Sequence, residues 1–249
     1  MVSVIMPAYN SQRTIELTLK SALAQTYKDI EVIVVNDCST DNTDEIVKSI
    51  AAQDSRVKYF VNEKNSGVSF TRNFAISQAK GEWIAFLDSD DIWREDKLEL
   101  QLKLAEKSGA QLLYSSYSMI DIDGNKRCND FIVDPETDFD KMLVRNEVGC
   151  LTAMVKSEVM RNYSFSGEYA HEDYVLWMSI LRDGYKAVGE TKVLADYRVY
   201  PGTRSANKFR AAKNRWIIYR KKLKLSVFKS FSSLMKYVLS GLKKYKSAS

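Results

Sequence analysis

Two periodicities alternate over the first 91 residues. Apolar, β-branched runs stand at Val2 to Met6, Glu31 to Asn36, Val57 to Val61 and Trp83 to Leu87, each followed by a polar turn. Short runs of this kind between turn residues read as buried strands. The stretches between them have helical period. Thr14 to Gln25 places Ile15, Leu19, Ala22 and Leu23 on one face behind the capping candidates Asn10 and Ser11, and Asp41 can cap a second helix reaching about Gln53. A third helix runs from about Val68 to Ala79, between Asn65-Ser66-Gly67 and Gly81. Strands alternating with helices of this length imply right-handed βαβ units and a mostly parallel, doubly wound sheet. A ligand crevice in such a sheet lies beyond the carboxyl ends of the strands.

After Trp93 the alternation loosens. The pattern predicts a charged helix from Arg94 to Lys107, a strand from Leu112 to Ile120, a turn at Asp123-Gly124-Asn125 and an acidic stretch to Asp140. Further helical and strand patterns follow over Met142 to Lys156, then a helix from Glu172 to Arg182 and a strand from Val193 to Val199. No Pro/Gly/Ser linker separates these parts. The chain therefore divides into one domain over residues 1–203, with a nucleotide-binding half to about residue 93 and an acceptor half over 94–203, and a tail over 204–249.

Charge sharpens that last boundary. Up to residue 203 there are 23 basic and 32 acidic side chains, a balance of −9, whereas residues 204–249 hold 14 bases and no acid. The 45% hydrophobic and 28% charged fractions are those of a globular protein and exclude a disordered or collagen-like chain. No apolar run approaches the ~18 residues of a membrane span, and the N-terminus carries no basic leader, so a cytoplasmic location is expected. Cys38, Cys128 and Cys150 are odd in number and form no C-x-x-C pair, which suits a reducing compartment and excludes a disulfide framework or zinc site.

The chemistry gathers at the strand ends. Asp88 and Asp90, two residues apart, point the same way if the backbone stays extended, and two such carboxylates can hold Mg²⁺ or Mn²⁺. The competing reading is an acidic turn in which Asp90 or Asp91 caps the next helix. Neither G-x-x-x-x-G-K-[ST] nor G-x-G-x-x-G occurs, so a phosphate would be held through metal and not in a glycine-rich cradle.

The segments Val2-Ser-Val-Ile-Met-Pro-Ala-Tyr-Asn10, Glu31-Val-Ile-Val-Val-Asn-Asp-Cys-Ser-Thr-Asp41, Asn65-Ser-Gly-Val-Ser-Phe-Thr-Arg-Asn73 and Gly81-Glu-Trp-Ile-Ala-Phe-Leu-Asp-Ser-Asp-Asp91, in this order, resemble glycosyltransferase family 2. The resemblance implies the GT-A fold and inverting transfer from a nucleotide sugar. It places Pro7, Ala8 and Tyr9 at the nucleotide pocket, Asp37 on the uracil N3–H, Gly67, Arg72 and Ser89 at the donor, Asp88 at the ribose or metal shell, and Asp90 on the metal. UDP is the implied carrier, since cytosine lacks the N3–H donor. The pair Glu172-Asp173 matches the family's acidic pair, which implies Asp173 as catalytic base, with Glu172 and His171 toward the acceptor. Acids in the first turn of a helix also complement its dipole, and that structural role competes with the catalytic one. Arg198 and Arg204 resemble the basic residues of a mobile loop that meets the diphosphate. Processive members carry Q-x-x-R-W and transmembrane helices. Here Arg215-Trp216 follows Ala212 in place of Gln, so transfer of a single sugar is expected, to a glycan or lipid-linked acceptor in bacterial surface polysaccharide synthesis. A non-catalytic sugar-nucleotide or membrane-binding module is the alternative, and it would not need Asp173.

In the tail, Lys222, Lys229, Lys236 and Lys243 recur every seven residues, while Phe228, Phe231, Met235, Val238, Leu242 and Tyr245 recur at three and four. These are opposed faces of one helix. A basic amphipathic helix suits an anionic membrane surface, here the inner face of the plasma membrane. The competing reading packs its apolar face on the catalytic domain or on a second subunit. Nucleic acid is not expected as a partner, because no binding motif accompanies the charge.

Overall fold

The structure, a computed structural model, describes residues 1–200 and 208–246, with side chains described for 1–200 and 211–239. Strands β1 (Val2–Ala8), β2 (Ile30–Asn36), β3 (Val57–Val61) and β4 (Trp83–Phe86) form a parallel unit with β1 between β2 and β4. Helices α1 (Ile15–Leu23), α2 (Thr43–Gln53) and α3 (Val68–Gln78) make the crossovers. Both β1 and β2 are buried along their whole length, which is why their sequences are apolar without alternation.

Beyond β4 the sheet becomes mixed. The short strand β5 (Ile92–Trp93), helix α4 (Lys97–Ser108), the long strand β6 (Leu112–Ile120) and the short β7 (Glu136–Thr137) come next in the chain. They are followed by α5 (Phe139–Val144), β8 (Met154–Lys156), α6 (Ser157–Met160), α7 (Glu172–Arg182) and β9 (Ala187–Arg198). The strand order is β3-β2-β1-β4-β8-β6-β9-β5, with β7 also on β9. The longest pairing here, β6 with β9, is parallel, whereas β8 is antiparallel to both β4 and β6. Two apolar clusters cover the two faces of this sheet: one includes Ile33, Phe86, Tyr114 and Trp177, the other Val4, Met6, Val34 and Leu113.

The helix starts differ from the capping expectation. Asn10 does not cap α1: its Oδ1 accepts from the Thr40 N–H at 2.9 Å, and the backbone carbonyl of Ser11 accepts from Thr14 and Ile15. Asn10 thus ties the loop after β1 to the loop after β2. Asp41 does serve the entrance of α2, accepting from the Thr43 N–H at 3.0 Å and the Thr43 hydroxyl at 2.6 Å.

Lys97 at the start of α4 is fully buried, with its ammonium 4.1 Å from the Trp93 ring centroid and donating to Gln101 Oε1 at 2.7 Å. Burial pushes this ammonium down from an ordinary 10.5 to about 7. The unfolded chain therefore binds the proton more tightly, so stability rises with pH between about 7 and 10.5. At ~1.4 kcal/mol per unit the charge costs on the order of 5 kcal/mol below pH 7, which exceeds the ~2 kcal/mol of the lost hydrogen bond and cation–π contact in Lys97→Met. Lys97→Met is expected to raise the melting temperature by several degrees at pH 6 and to leave it unchanged or lower at pH 10, as scanning calorimetry would show.

Residues 204–249, read from the sequence as one tail, divide into two parts in the structure. The first, α8 (Lys208–Ile217) with a wider turn over Ile218–Lys222, sends Arg215, Ile218, Tyr219 and Leu223 into the body. The Tyr219 hydroxyl donates to the Leu143 carbonyl. The Arg215 guanidinium lies between two rings, 3.4 Å from the centroid of Tyr174 on α7 and 4.5 Å from that of Tyr237 on the last helix, α9 (Val227–Lys246). Arg204 and the turn at 201–202 lie outside the described residues.

Candidate active site

Parallel pairing brings the ends of β1, β2 and β4 to one edge, with Ala8 opposite Asn36 and Ile5 opposite Phe86. Pro7 and Ala8 are buried within β1, so they form the floor behind the edge. Tyr9 is half exposed beyond them. A cleft of about 400 Å³ opens there, lined among others by Tyr9, Ser11, Arg13, Ser89, Asp90 and Tyr200. Ser89 is fixed by α1: its hydroxyl lies 2.7 Å from that of Ser11, and its carbonyl accepts from Thr14 at 2.9 Å and Thr18 at 3.1 Å.

The segment after β4 is a turn and not an extended strand, because the Asp91 N–H returns to the Asp88 carbonyl at 3.1 Å. The three acids accordingly have three environments. Asp88 faces Arg72. Asp90 accepts from the Tyr200 hydroxyl at 3.1 Å, and burial together with the neighbouring Asp88 charge pushes its carboxyl up to about 6. Asp91 is buried and accepts from the backbone N–H of Arg198 on β9 at 2.8 Å, not from the following helix, while its Oδ2 has no hydrogen-bond partner. Burial, reinforced by Asp90 and Asp88, pushes Asp91 well above the usual carboxylate range.

Asp37, buried at the end of β2, uses its carboxylate to organise the start of α3. Oδ1 accepts from Asn62 at 2.7 Å and the Ser66 N–H at 2.8 Å, and Oδ2 accepts from the Gly67 N–H at 2.8 Å. Gly67 has φ +83°, a left-handed conformation that a side chain would strain. Helix α3 then carries Arg72 into the interior. The Arg72 guanidinium, 5% exposed, donates to Asp88 at 2.5 Å and to Glu172 at 3.0 Å, and lies 5.1 Å from the Phe165 ring centroid. One cation thus bridges the end of β4 and the start of α7, with Arg72 and Glu172 100 residues apart in the chain.

On α7, Asp173 follows Glu172 and is partly exposed. Burial, then the neighbouring Glu172 charge, pushes its carboxyl up, against the opposing pull of Arg72. His171 precedes the helix with φ +63°, an unusual conformation for a residue bearing a Cβ. Cys150, buried against this group, has its thiol pushed well up by burial.

The structure brings Tyr9, Ser89 and Asp90 around the cleft, and joins Arg72, Asp88 and Glu172 in one ion cluster beside Asp173. It sets Arg198 apart. That side chain is 2% exposed, donating through Nε to the Asp90 carbonyl at 2.7 Å and through one terminal nitrogen to the carbonyls of Asp121 and Ile122 at 2.9 and 2.7 Å. Expected on a diphosphate, Arg198 instead clamps the backbone of the acidic turn. Arg13, Tyr200 and Cys150 were not singled out by sequence reading. Arg13 alone left a trace, as a base just beyond the first strand end.

Residues 3–147 match the sequence profile described as Glycosyl transferase family 2. The chain belongs to glycosyltransferase family 2. Its relatives extend that assignment over the full length. The chain is 36% identical over 245 residues to a protein named as a teichuronic acid biosynthesis glycosyltransferase, TuaG, of Bacillus subtilis, covering 98% of this chain and 97% of that one. It is 35% identical over 247 residues to WfgD of Escherichia coli, a UDP-Glc:α-D-GlcNAc-diphosphoundecaprenol β-1,3-glucosyltransferase, covering 98% and 95%. Among solved structures, Staphylococcus aureus TarS in complex with UDP-GlcNAc matches at TM-score 0.73 and 22% identity, over 95% of this chain and 71% of that one. The mannosyltransferase PcManGT from Pyrobaculum calidifontis, in complex with GDP-Man and Mn²⁺, matches at TM-score 0.71 and 20% identity, over 100% and 76%. As a family 2 glycosyltransferase the chain is a transferase enzyme with the GT-A fold. Among the described residues of this family 2 enzyme, no three His, Cys, Asp or Glu side chains converge as a metal cage. The donor set offered to a cation is the pair Asp88 and Asp90. Their carboxylates are the hard oxygen donors that a divalent ion combines with water and phosphate, and such an ion would offset the Asp88 charge that, after burial, raises Asp90.

Proposed function

We infer that this enzyme transfers one sugar, with inversion, from a UDP-sugar to a hydroxyl of a lipid-linked glycan in bacterial surface polysaccharide synthesis. The observation that carries this reading is the Arg72 bridge, which fixes the start of α7 beside the acidic turn. A base on α7 is thereby held at a set position relative to a donor at the strand ends. Asp173 takes the proton of the acceptor hydroxyl as its oxygen bonds to the anomeric carbon. The bond from that carbon to the diphosphate breaks, and UDP leaves with the electron pair. A carboxylate with raised basicity suits this task, since a general base works best with a pKa near the operating pH. Asp88 and Asp90 would hold Mg²⁺ or Mn²⁺, whose chemistry when bound is to neutralise charge on the diphosphate. Asp37 retains one acceptor position on Oδ2 for the uracil N3–H, Tyr9 offers a ring to the base, and Arg13 faces the phosphates from the cleft wall. Glu172, charged and tied to Arg72, positions Asp173.

The names of the relatives support the substrate classes: WfgD is named for a UDP-sugar donor and a lipid diphosphate acceptor. Titration calorimetry in Mn²⁺ tests the donor half. UDP is expected to bind at least tenfold more tightly than CDP, and chelation or Asp90→Ala to weaken UDP by at least tenfold. Equal binding of the two nucleotides would remove the uracil assignment to Asp37. Undiminished binding by Asp90→Ala would remove the cation from the acidic turn.

A further inference from the structure

Helix α9 presents a face that the body does not cover. Ser230 and Ser233 are buried against the body, and Lys229 pairs with Asp140 on α5 at 2.8 Å. On the other side Phe228 is 84% exposed, Phe231 59%, Leu239 55%, Met235 47% and Val238 39%. At 100° per residue these five fall in one sector about 100° wide. The sequence admitted packing of this apolar face on the catalytic domain. The structure turns most of that face away: Ser230, Ser233, Leu234 and Tyr237 meet the body, and the five large apolar side chains point outward. A contiguous apolar stripe of this kind is uncommon on a monomer without a function.

Charge decides what covers it. Residues 204–249 hold 14 bases and no acid, and Lys221 and Lys224, just before α9, and Lys236 on it are exposed. A second copy meeting this face would set one cationic helix against another, whereas an anionic headgroup layer complements it. We propose that the outward face of α9 is a docking surface for an anionic lipid bilayer, with α9 lying flat in the interface and its five apolar side chains among the acyl chains. A flat helix of this composition buries its apolar side about 5–10 Å into the headgroup boundary. Arg215, held between Tyr174 and Tyr237, links this helix to α7. The enzyme would thus meet the membrane as one unit with its catalytic helix.

Flotation of the full chain with phosphatidylglycerol or phosphatidylcholine vesicles tests this. The protein is expected to float with the former and not the latter, and to lose binding as salt is raised. The double variant Phe228→Ser/Phe231→Ser removes exposed side chains, so its melting temperature should equal that of the native protein while vesicle binding falls at least tenfold. Lys221→Gln/Lys224→Gln should weaken binding without touching the stripe. Absence of flotation with phosphatidylglycerol, or a serine variant that floats as well as the native chain, overturns the proposal. A native dimer that the serine variant dissociates, with no vesicle binding, overturns it in favour of a second copy. Hydrolysis of UDP-sugar by the serine variant should be unchanged, so failure here leaves the transferase reading standing.

Discussion

Asp173→Asn is expected to lower kcat for sugar transfer by about 10³-fold while leaving UDP affinity within a factor of two, the scale of losing a positioned general base. The amide keeps the size and polarity of the side chain but cannot take the acceptor proton. Because burial and Glu172 push the Asp173 carboxyl up, native activity should also fall as pH drops through that raised value, above the range of an ordinary aspartate. The sign is fixed: a base works only deprotonated, and a raised pKa moves the acid limb of the pH profile upward. Steady-state transfer to a lipid-linked acceptor, followed by UDP release, measures both effects. Native-rate transfer by Asp173→Asn would remove the base from α7, and loss of UDP binding along with rate would show that the substitution disturbed the donor site instead.

Arg72→Met is expected to cost about 3 kcal/mol of stability, the low end for removing one partner of a buried ionic network. The low end applies because Asp88 is 31% exposed and can recover some hydration, whereas Glu172, at 11%, cannot. At roughly 2–4 °C per kcal/mol for a chain of this size, the melting temperature should fall by about 6–12 °C. Arg72→Lys should fall between, since an ammonium lacks the planar fork that reaches two carboxylates at once. Transfer activity should drop in both variants, because the bridge holds both the start of α7 and Asp88 of the acidic turn. A melting temperature equal to the native one in Arg72→Met would show that the bridge contributes nothing to holding the two halves together.

The first four strands and three helices were legible because each is a local pattern: a buried β-branched run, a polar turn, an apolar stripe at helical spacing. Leu112 to Ile120 and Glu172 to Arg182 were legible for the same reason. β5 and β7 were not, since strands of two residues have no period and exist through their partners. β9 begins at Ala187, six residues before the apolar run at Val193, because parallel pairing with β6 takes in Ala187 to Glu190 and resumes at Val193 after an irregularity that skips Thr191 and Lys192. The acidic turn shows a different limit. Period-2 reasoning assumed an extended backbone through Asp90, and a single hydrogen bond from Asp91 to Asp88 folds it. Arg72 and Arg198 carried no sign of their destinations, since a partner 100 residues away leaves no trace in local spacing. For the tail, periodicity gave the helix and its apolar stripe but not which side would meet the body.

The sandwich of Arg215 between Tyr174 and Tyr237 bears on how a detergent-free form of this enzyme could be made. The natural place to cut, where the acids stop and the bases begin, would remove Arg215, Tyr219 and Leu223 from the interior and leave the Tyr174 ring without the guanidinium that covers it. Shortening the chain would therefore expose a wound in the protein as it discarded the face proposed to meet lipid. Solubility must come from repainting α9 in place, one outward side chain at a time, with the helix left where it is.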